Sequence, residues 1–297
     1  METVYADYAP KGVRFYYVYK ALAHPEWDGY VTPYSLDERF MHMREAKRTL
    51  GSNIPWIVDN MENGIKHALG SRPNPEFIVD AEGTVVLKRM WSDPEELRKD
   101  LEKLVGAVED PTTVEELGMK RADPPKIAPT GVVPRLETPR GMRPVQITPV
   151  SSQGDQPYYA KLRAEAQRGL LGEDGKGQLC LRFSMDPLYK VHWNNLTAPI
   201  RVKLEDSEGI TLSENRLEGP KVDEESDMDP REFLIEVTRQ EGTAGPIRLT
   251  ASYFACSDEE GWCKRLTQSY DVLLERDSDG GSVVRGRMGR MFRQRNQ

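Results

Sequence analysis

PEFIVDAEGTVV, running from Pro75 to Val86, is the stretch of the sequence that most constrains the fold. The apolar run Phe77–Val79 is typical of a strand, Asp80–Gly83 has the residues of a tight turn, and Thr84–Leu87 is typical of a returning strand. Pro75 has no backbone N–H to give to a sheet, so at the entry to a strand it leaves neighbouring backbone groups open to a ligand. The stretch predicts a β-hairpin, whose entry is either a ligand-facing feature or only a rigid turn.

Helices and strands alternate through the first hundred residues. Strands are predicted at Val13–Tyr19 and Ile54–Val58, where aromatic and β-branched residues cluster. A helix is predicted over Ser35–Leu50, because its first serine is followed three positions later by glutamate, as in a capping box. Another is predicted over Asp93–Val105, which opens with Asp-Pro. This alternation predicts an α/β domain with a mixed sheet.

Residues 1–106 resemble the iodothyronine deiodinase branch of the thioredoxin-like redoxins. The matching segments are VYKALAHPEWDG (Val18–Gly29), SLDER (Ser35–Arg39), IVDNMEN (Ile57–Asn63) and the proline hairpin. The resemblance implies a thioredoxin-like fold in which Pro75 is cis and faces a reactive cysteine or selenocysteine, with His24 in the site. His24 is equally consistent with a surface loop residue before a proline. Pro33 stands where the family has a second histidine, which weighs against deiodination.

The resemblance also indicates what the sequence lacks. In the family a central strand precedes the nucleophile, which lies at the start of the first helix. Here residues 2–9 match only the end of that helix, and the first cysteine is Cys180. A thiolate nucleophile needs such a helix start, where the dipole lowers its pKa. We expect a thioredoxin-like domain without its first strand and nucleophile. Three explanations are open for the missing strand: the sequence is a fragment, another segment takes the strand's place, or the two flanking strands pair directly. The fragment is favoured.

The rest of the sequence divides by composition. Prolines recur from Pro124 to Pro149, which excludes a helix, so 107–157 is predicted to be a Pro-rich linker, with edge strands at Val132–Val133 and Val145–Ile147. Residues 279–297 are predicted to be a basic flexible tail, because they carry five arginines and no acid from residue 285 onward. The net charge of −7 argues against a nucleic-acid partner. The sequence contains no run of 18 apolar residues, so it predicts no transmembrane segment.

Residues 158–278 predict a β-sandwich. Six segments alternate apolar and polar residues and are separated by Gly, Pro, Asn and Asp: 178–183, 189–193, 200–204, 233–237, 246–253 and 269–274. Period-two alternation over short segments is typical of this architecture. Only Ala160–Gly169 is predicted to be helical.

Cys256 and Cys263 are the candidate reactive residues. The six residues between them allow a loop whose ends return to disulfide reach, about 5.5 Å between Cα atoms. LTASYFACSDEEGWC (Leu249–Cys263) and Tyr189–Asn195 resemble the immunoglobulin-like N-terminal domain of the bacterial transmembrane disulfide-interchange reductase, where the spacing is one residue shorter. The resemblance implies a pair that cycles between dithiol and disulfide. A static disulfide is the alternative, and Cys180 is predicted to be a buried apolar residue.

These features together predict an extracytoplasmic thiol-redox protein of bacterial type, with a thiol or disulfide protein as its partner and with no cofactor or metal. The predicted site residues are Cys256, Cys263, His24 and Pro75. Lys264 and Arg265 are expected to favour a thiolate at Cys263. The three acids Asp258, Glu259 and Glu260 are expected to oppose a thiolate at Cys256. Two alternatives remain: a non-enzymatic binding or scaffold protein with a structural disulfide, and a deiodinase-like reductive dehalogenase, ranked last because the first domain has no cysteine.

Overall fold

The structure, a computed structural model, contains two compact units. It describes residues 1–27, 29–70, 72–123, 125–150, 156–242 and 245–281. The first unit comprises Met1–Ala21 and Ser35–Pro124, and the second comprises Leu22–Tyr34 and Pro125–Gln297. Most of the predicted basic tail, from residue 282 onward, lies outside the described residues.

The described residues of the first unit form five helices and four short strands. In chain order these are α1 (Glu2–Tyr8), β1 (Tyr17–Tyr19), α2 (Leu36–Leu50), β2 (Trp56–Val58), α3 (Gly64–Leu69), β3 (Glu76–Val79), β4 (Val85–Arg89), α4 (Pro94–Val105) and α5 (Val114–Leu117). Strands β1 and β2 form a parallel pair, and β3 and β4 form an antiparallel pair. The two pairs are separate two-stranded sheets.

The hairpin predicted from Pro75–Val86 is confirmed. Strands β3 and β4 pair from Glu76 opposite Arg89 to Val79 opposite Val85. Asp80 holds the turn between them, because its Oδ1 accepts hydrogen bonds from the backbone N–H groups two and four residues later, at 3.1 and 2.7 Å. An aspartate that accepts from its own following backbone is the usual way in which this residue type fixes a turn.

The two long helices of this unit begin where the sequence predicts. The Ser35 Oγ accepts a hydrogen bond from the Glu38 N–H at 3.2 Å, and α2 ends at Gly51 with a positive φ of 62°. The Asp93 Oδ1 accepts from the first N–H groups of α4 in the same way. A small core packs α1 against α4 through buried side chains: Val4, Tyr8, Leu97 and Leu101.

The described part of the second unit is built on one sheet of eleven strands. Its strands are β5 (Arg143–Val150), β6 (Ala160–Ala166), β7 (Lys176–Met185), β8 (His192–Asn194), β9 (Arg201–Leu204), β10 (Ile210–Leu212), β11 (Arg216–Glu218), β12 (Ser226–Asp227), β13 (Arg231–Arg239), β14 (Ile247–Ser257) and β15 (Trp262–Arg276). A short helix α6 (Arg168–Leu171) and a 3₁₀ turn (Pro187–Tyr189) interrupt them. The strand order is β10-β13-β7-β6-β5-β15-β14-β8-β12, with β9 beside β14 and β11 beside β9.

Strand β5 joins two halves of this sheet. One half contains β10, β13, β7 and β6, and the other contains β15, β14, β8, β12, β9 and β11. The buried Tyr253 of β14 accepts a hydrogen bond from the Ala160 N–H of β6 at 3.1 Å, and Tyr270 of β15 donates to the Ala160 carbonyl at 2.7 Å. The rings of Phe183 in β7 and Tyr270 lie 5.9 Å apart, edge to face. Because strands on opposite sides of β5 are in contact, the two halves face each other across one hydrophobic core.

The helix predicted over Ala160–Gly169 is wrong, since this stretch is mainly strand β6. Alanine, lysine, leucine, arginine and glutamate are good helix formers, which is why the sequence favours a helix. Every residue of β6 is buried, and all seven pair with β7. The charged side chains are accommodated inside the unit, as Arg163 Nη2 lies 3.2 Å from Glu165 Oε1. Pairing and burial therefore outweigh local propensity.

The predicted fold class, an incomplete α/β thioredoxin-like domain followed by an immunoglobulin-like sandwich, is also wrong. The structure is mostly β, with 34% of residues in strands and 19% helical, and its dominant feature is the eleven-stranded antiparallel sheet. In the first unit the alternating elements do not assemble into one mixed sheet. In the second unit the strands follow one continuous order instead of forming two separate sheets.

A strand is present at Val145–Ile147 as part of β5, but it lies between β6 and β15 in the sheet and is not an edge. The strand expected at Val132–Val133 is wrong, because both N–H groups donate to the Asp229 carboxylate, at 2.5 and 2.8 Å. Over its first two residues β5 pairs with β6, and from Val145 to Val150 it pairs with β15. Within the described residues each part of the strand has a ladder on one side, and one further hydrogen bond runs from the Asp277 N–H to the Pro144 carbonyl at 2.9 Å. That arrangement tolerates Pro144 and Pro149, which cannot donate to a ladder. Across the described ranges, none of the helices is both long and apolar enough to cross a membrane.

Candidate functional site

The two candidate cysteines lie opposite each other at the end of the longest hairpin. Strands β14 and β15 pair over eleven residues, and Cys256 faces Cys263 in this register. The connecting turn is closed by a hydrogen bond from the Glu260 N–H to the Ser257 Oγ at 3.2 Å, and Gly261 supplies a positive φ of 67°. The hairpin thus brings the two cysteines together, as the sequence spacing predicts.

The cysteines form a disulfide whose two ends differ in exposure. Their Cα atoms are 4.1 Å apart. Cys256 is 5% exposed, and at this position β14 is paired with β15 on one side and with β8 on the other. Cys263 is exposed. The described part of β5 pairs with β15 only from Ser269 onward, so no described strand covers Cys263 on the side away from β14.

His192 lies beside the buried Cys256. It is a residue of the candidate site that the sequence analysis does not predict. It is opposite Cys256 in the pairing of β8 with β14. Its Nδ1 donates a hydrogen bond to the Trp193 carbonyl at 2.9 Å, and its Nε2 lies 3.3 Å from the Oδ1 of Asp258 in the hairpin turn. The ring is buried whereas the Asp258 side chain is 83% exposed. His192, Cys256 and Cys263 therefore occupy neighbouring positions on one face of three adjacent strands.

The opposite face of the hairpin carries aromatic rings and a lysine. The Lys264 Nζ lies 4.1 Å from the ring centroid of Trp262 and 5.3 Å from that of Tyr159. Burial, followed by the nearby charge of Glu260, raises the pKa of Tyr159, so this ring stays neutral beneath the ammonium group. Successive residues of a strand point to opposite faces, so Lys264 points away from the face that holds Cys263. The expectation that Lys264 stabilises a thiolate there is wrong, while the exposed Arg265 lies on the same face as Cys263.

His24 and Pro75 lie elsewhere in the chain. His24 is an exposed residue of the 22–34 segment of the second unit, and its carbonyl accepts a hydrogen bond from the Trp27 N–H at 3.4 Å. Pro75 precedes β3 in the first unit. The described residues contain no cis peptide bond, so the cis proline that the resemblance implies is wrong. Pro75 lines an open cavity of about 310 Å³ in the first unit, together with Leu69, Gly70, Arg72, Lys88 and Met90.

The third cysteine is a core residue. Cys180 lies in the middle of β7 with 1% of its surface exposed and keeps its thiol, which confirms the prediction of a buried apolar role. All three cysteines belong to the second unit. A dehalogenation site in the first unit therefore stays a prediction of the resemblance alone.

Comparisons with protein-family models, with curated proteins and with solved structures find no match to this chain. The two family resemblances remain predictions from the sequence. The function is therefore best inferred from the geometry around the disulfide.

Proposed function

We propose that the protein exchanges electrons with a thiol or disulfide of a partner protein through the Cys256–Cys263 pair. The observation that carries this proposal is the asymmetry of the disulfide. Cys263 is exposed at an uncovered side of β15, whereas Cys256 is buried between two strands. Thiol–disulfide exchange requires access to one sulfur and a second sulfur that leaves.

The direction of attack follows from the strand order. A thiolate attacks a disulfide sulfur roughly in line with the S–S bond, and here that bond runs across the sheet from β14 to β15. An approach to the Cys263 sulfur comes from the uncovered side of β15. An approach to the Cys256 sulfur comes from the side of β8, where His192 lies. Cys263 is therefore the sulfur that forms the mixed disulfide.

The exchange balances in two steps. The partner thiolate bonds to the Cys263 sulfur, the Cys256–Cys263 bond breaks, and its electron pair remains on the Cys256 sulfur as a thiolate. A second partner thiol then displaces Cys263, which leaves the partner oxidised and both cysteines of this chain reduced. The Cys256 thiolate then takes up a proton from water, which completes its conversion to a thiol. The reverse sequence oxidises the pair and reduces the partner.

The proposal is tested by asking which cysteine reacts. The Cys256→Ser and Cys263→Ser variants of the full chain are mixed with oxidised glutathione, and the mixed disulfide is followed by mass spectrometry. We expect Cys263, the cysteine left in the first variant, to react at least about tenfold faster than Cys256 in the second, since reaction rates follow thiol access. The buried Cys180 provides an internal reference for a cysteine that the folded chain protects.

Two outcomes contradict the proposal. Equal rates at the two cysteines would remove the asymmetry on which it rests. A wild-type disulfide that reduced glutathione fails to open in the folded chain would favour the alternative of a binding or scaffold protein with a structural disulfide. The choice of a thiol partner over a nucleic acid is supported by the net charge of −7.

A further inference from the structure

His192 and Asp258 meet in an arrangement that calls for a cation between them. The Trp193 carbonyl can only accept a hydrogen bond, so the Nδ1 atom of His192 at 2.9 Å must carry a hydrogen. In a neutral ring the Nε2 atom then presents a lone pair, 3.3 Å from the Asp258 Oδ1. Two acceptors face each other at hydrogen-bond distance. Either a proton or a metal ion satisfies both.

His192 is one of three residues in a row across the sheet whose side chains are of types that bind metals. Cys263, Cys256 and His192 occupy opposed positions on three adjacent strands, where Cβ atoms of neighbours are about 5 Å apart. Asp258 follows two residues after the middle cysteine, in the turn that reaches over this face. In the oxidised protein the sulfurs are bonded to each other, and no group of three or more metal-binding side chains is assembled within the described ranges.

We propose that reduction of the disulfide converts this row into a binding site for Zn²⁺ or a similar borderline-soft divalent cation. The four protein ligands are the two cysteines, Cys256 and Cys263, together with His192 and the exposed Asp258 carboxylate. Thiolate sulfur and imidazole nitrogen are the ligands that zinc prefers, at about 2.3 and 2.0 Å. The inference departs from the sequence, which predicts no metal, because only the fold places His192 next to the cysteines.

The tautomer of His192 is already the one that a metal needs. Histidines that bind metals usually donate their other ring N–H to a carbonyl or carboxylate, which fixes the ring and leaves the binding nitrogen unprotonated. The hydrogen bond from Nδ1 to the Trp193 carbonyl does this. A two-electron reductant such as a phosphine cleaves the disulfide to two thiols, and binding of one divalent cation then releases their two protons.

Cobalt provides the direct test, because tetrahedral Co²⁺ bound to thiolates gives visible and charge-transfer absorption. The full chain is reduced with a phosphine without oxygen and titrated with Co²⁺, followed by displacement with Zn²⁺. We expect one Co²⁺ per reduced chain and none bound by the oxidised chain. The His192→Gln variant should bind at least about tenfold more weakly and with an altered spectrum, since it loses a ligand.

The controls separate this inference from the proposed exchange. His67→Gln changes an exposed histidine of the first unit and should bind Co²⁺ like the wild type. Circular dichroism of each reduced variant is measured to check that the fold persists. A reduced wild type that exchanges with glutathione but binds no Co²⁺, or a His192→Gln variant that binds equally tightly with the same spectrum, overturns the metal site alone. A disulfide that resists reduction in the folded chain overturns both proposals.

Discussion

Opening the Cys256–Cys263 bond should weaken the second unit modestly and leave it folded. The two cysteines are seven positions apart, so the bond closes a ring of only eight residues. The chain-entropy relation gives about 2.5 kcal/mol of stabilisation for a ring of this size. The same two strands are held by eleven backbone pairs and by core side chains, so the hairpin does not depend on the sulfur bond. For a unit of this size, such a loss corresponds to a fall in Tm of about 5 to 10 °C.

The assay compares thermal unfolding of the oxidised chain, the phosphine-reduced chain and the Cys256→Ala/Cys263→Ala double variant, followed by the circular dichroism of the strands. We expect a cooperative transition in all three, with the latter two shifted by similar amounts. The reduced chain controls for the volume lost in the double variant. If reduction abolished the transition, or lowered the unfolding free energy by much more than the entropic value, the disulfide would be a structural staple and our reasoning would be refuted.

Three further changes test the packing of each unit. Tyr253→Phe removes the hydroxyl that accepts from the first N–H of β6, so the unfolding free energy should fall by about 1–3 kcal/mol in denaturant titrations. Burial acts to raise the pKa of Glu232, but hydrogen bonds from Arg135 and the charge of Arg182 outweigh it and lower the pKa to about 2. This carboxylate contributes its full stabilisation above its ordinary pKa of 4.5. The difference in unfolding free energy between wild type and Glu232→Gln should therefore shrink as the pH falls from 4.5 towards 2. A difference that stays constant over this pH range would refute the assignment to Glu232. Asp93→Ala removes the cap of α4 and should cost the first unit about 1 kcal/mol, measured by the loss of helical circular dichroism on heating.

Local signals in the sequence predict local structure well. The Asp80 turn, the caps at Ser35 and Asp93, and the alternation that marks strands β7, β9, β13, β14 and β15 each depend on neighbours within a few residues. The closeness of Cys256 and Cys263 is also a local feature, because it depends only on the length of a hairpin turn. These features are fixed by backbone preferences and turn chemistry, which a single sequence carries.

Features that depend on long-range pairing are not predicted. Strand β6 has the composition of a helix and becomes a strand because β7 pairs along its whole length. The short strands β10, β11 and β12 have only two or three residues each, too few to show a period. The fold class fails for the same reason, since the alternation of elements in the first unit does not determine whether their strands join one sheet.

The site shows the same division between local and distant information. The sequence identifies the two cysteines, but it does not place His192, which precedes Cys256 by sixty-four positions and meets it only through the register of β8 with β14. It also assigns Lys264 to the wrong face. Alternation along β15 was available as a signal there, because adjacent residues of a strand cannot share a face.

The reduction potential of the Cys256–Cys263 pair is the most direct test of the exchange function. The folded chain is equilibrated with dithiothreitol and glutathione redox buffers, and the reduced fraction is read by alkylating the free thiols and weighing the products by mass spectrometry, with the buried Cys180 as the internal reference. We predict a potential above about −300 mV, within reach of biological dithiols. A potential well below that value, with the pair oxidised in every glutathione buffer, would contradict an exchanging pair and identify a permanent cross-link.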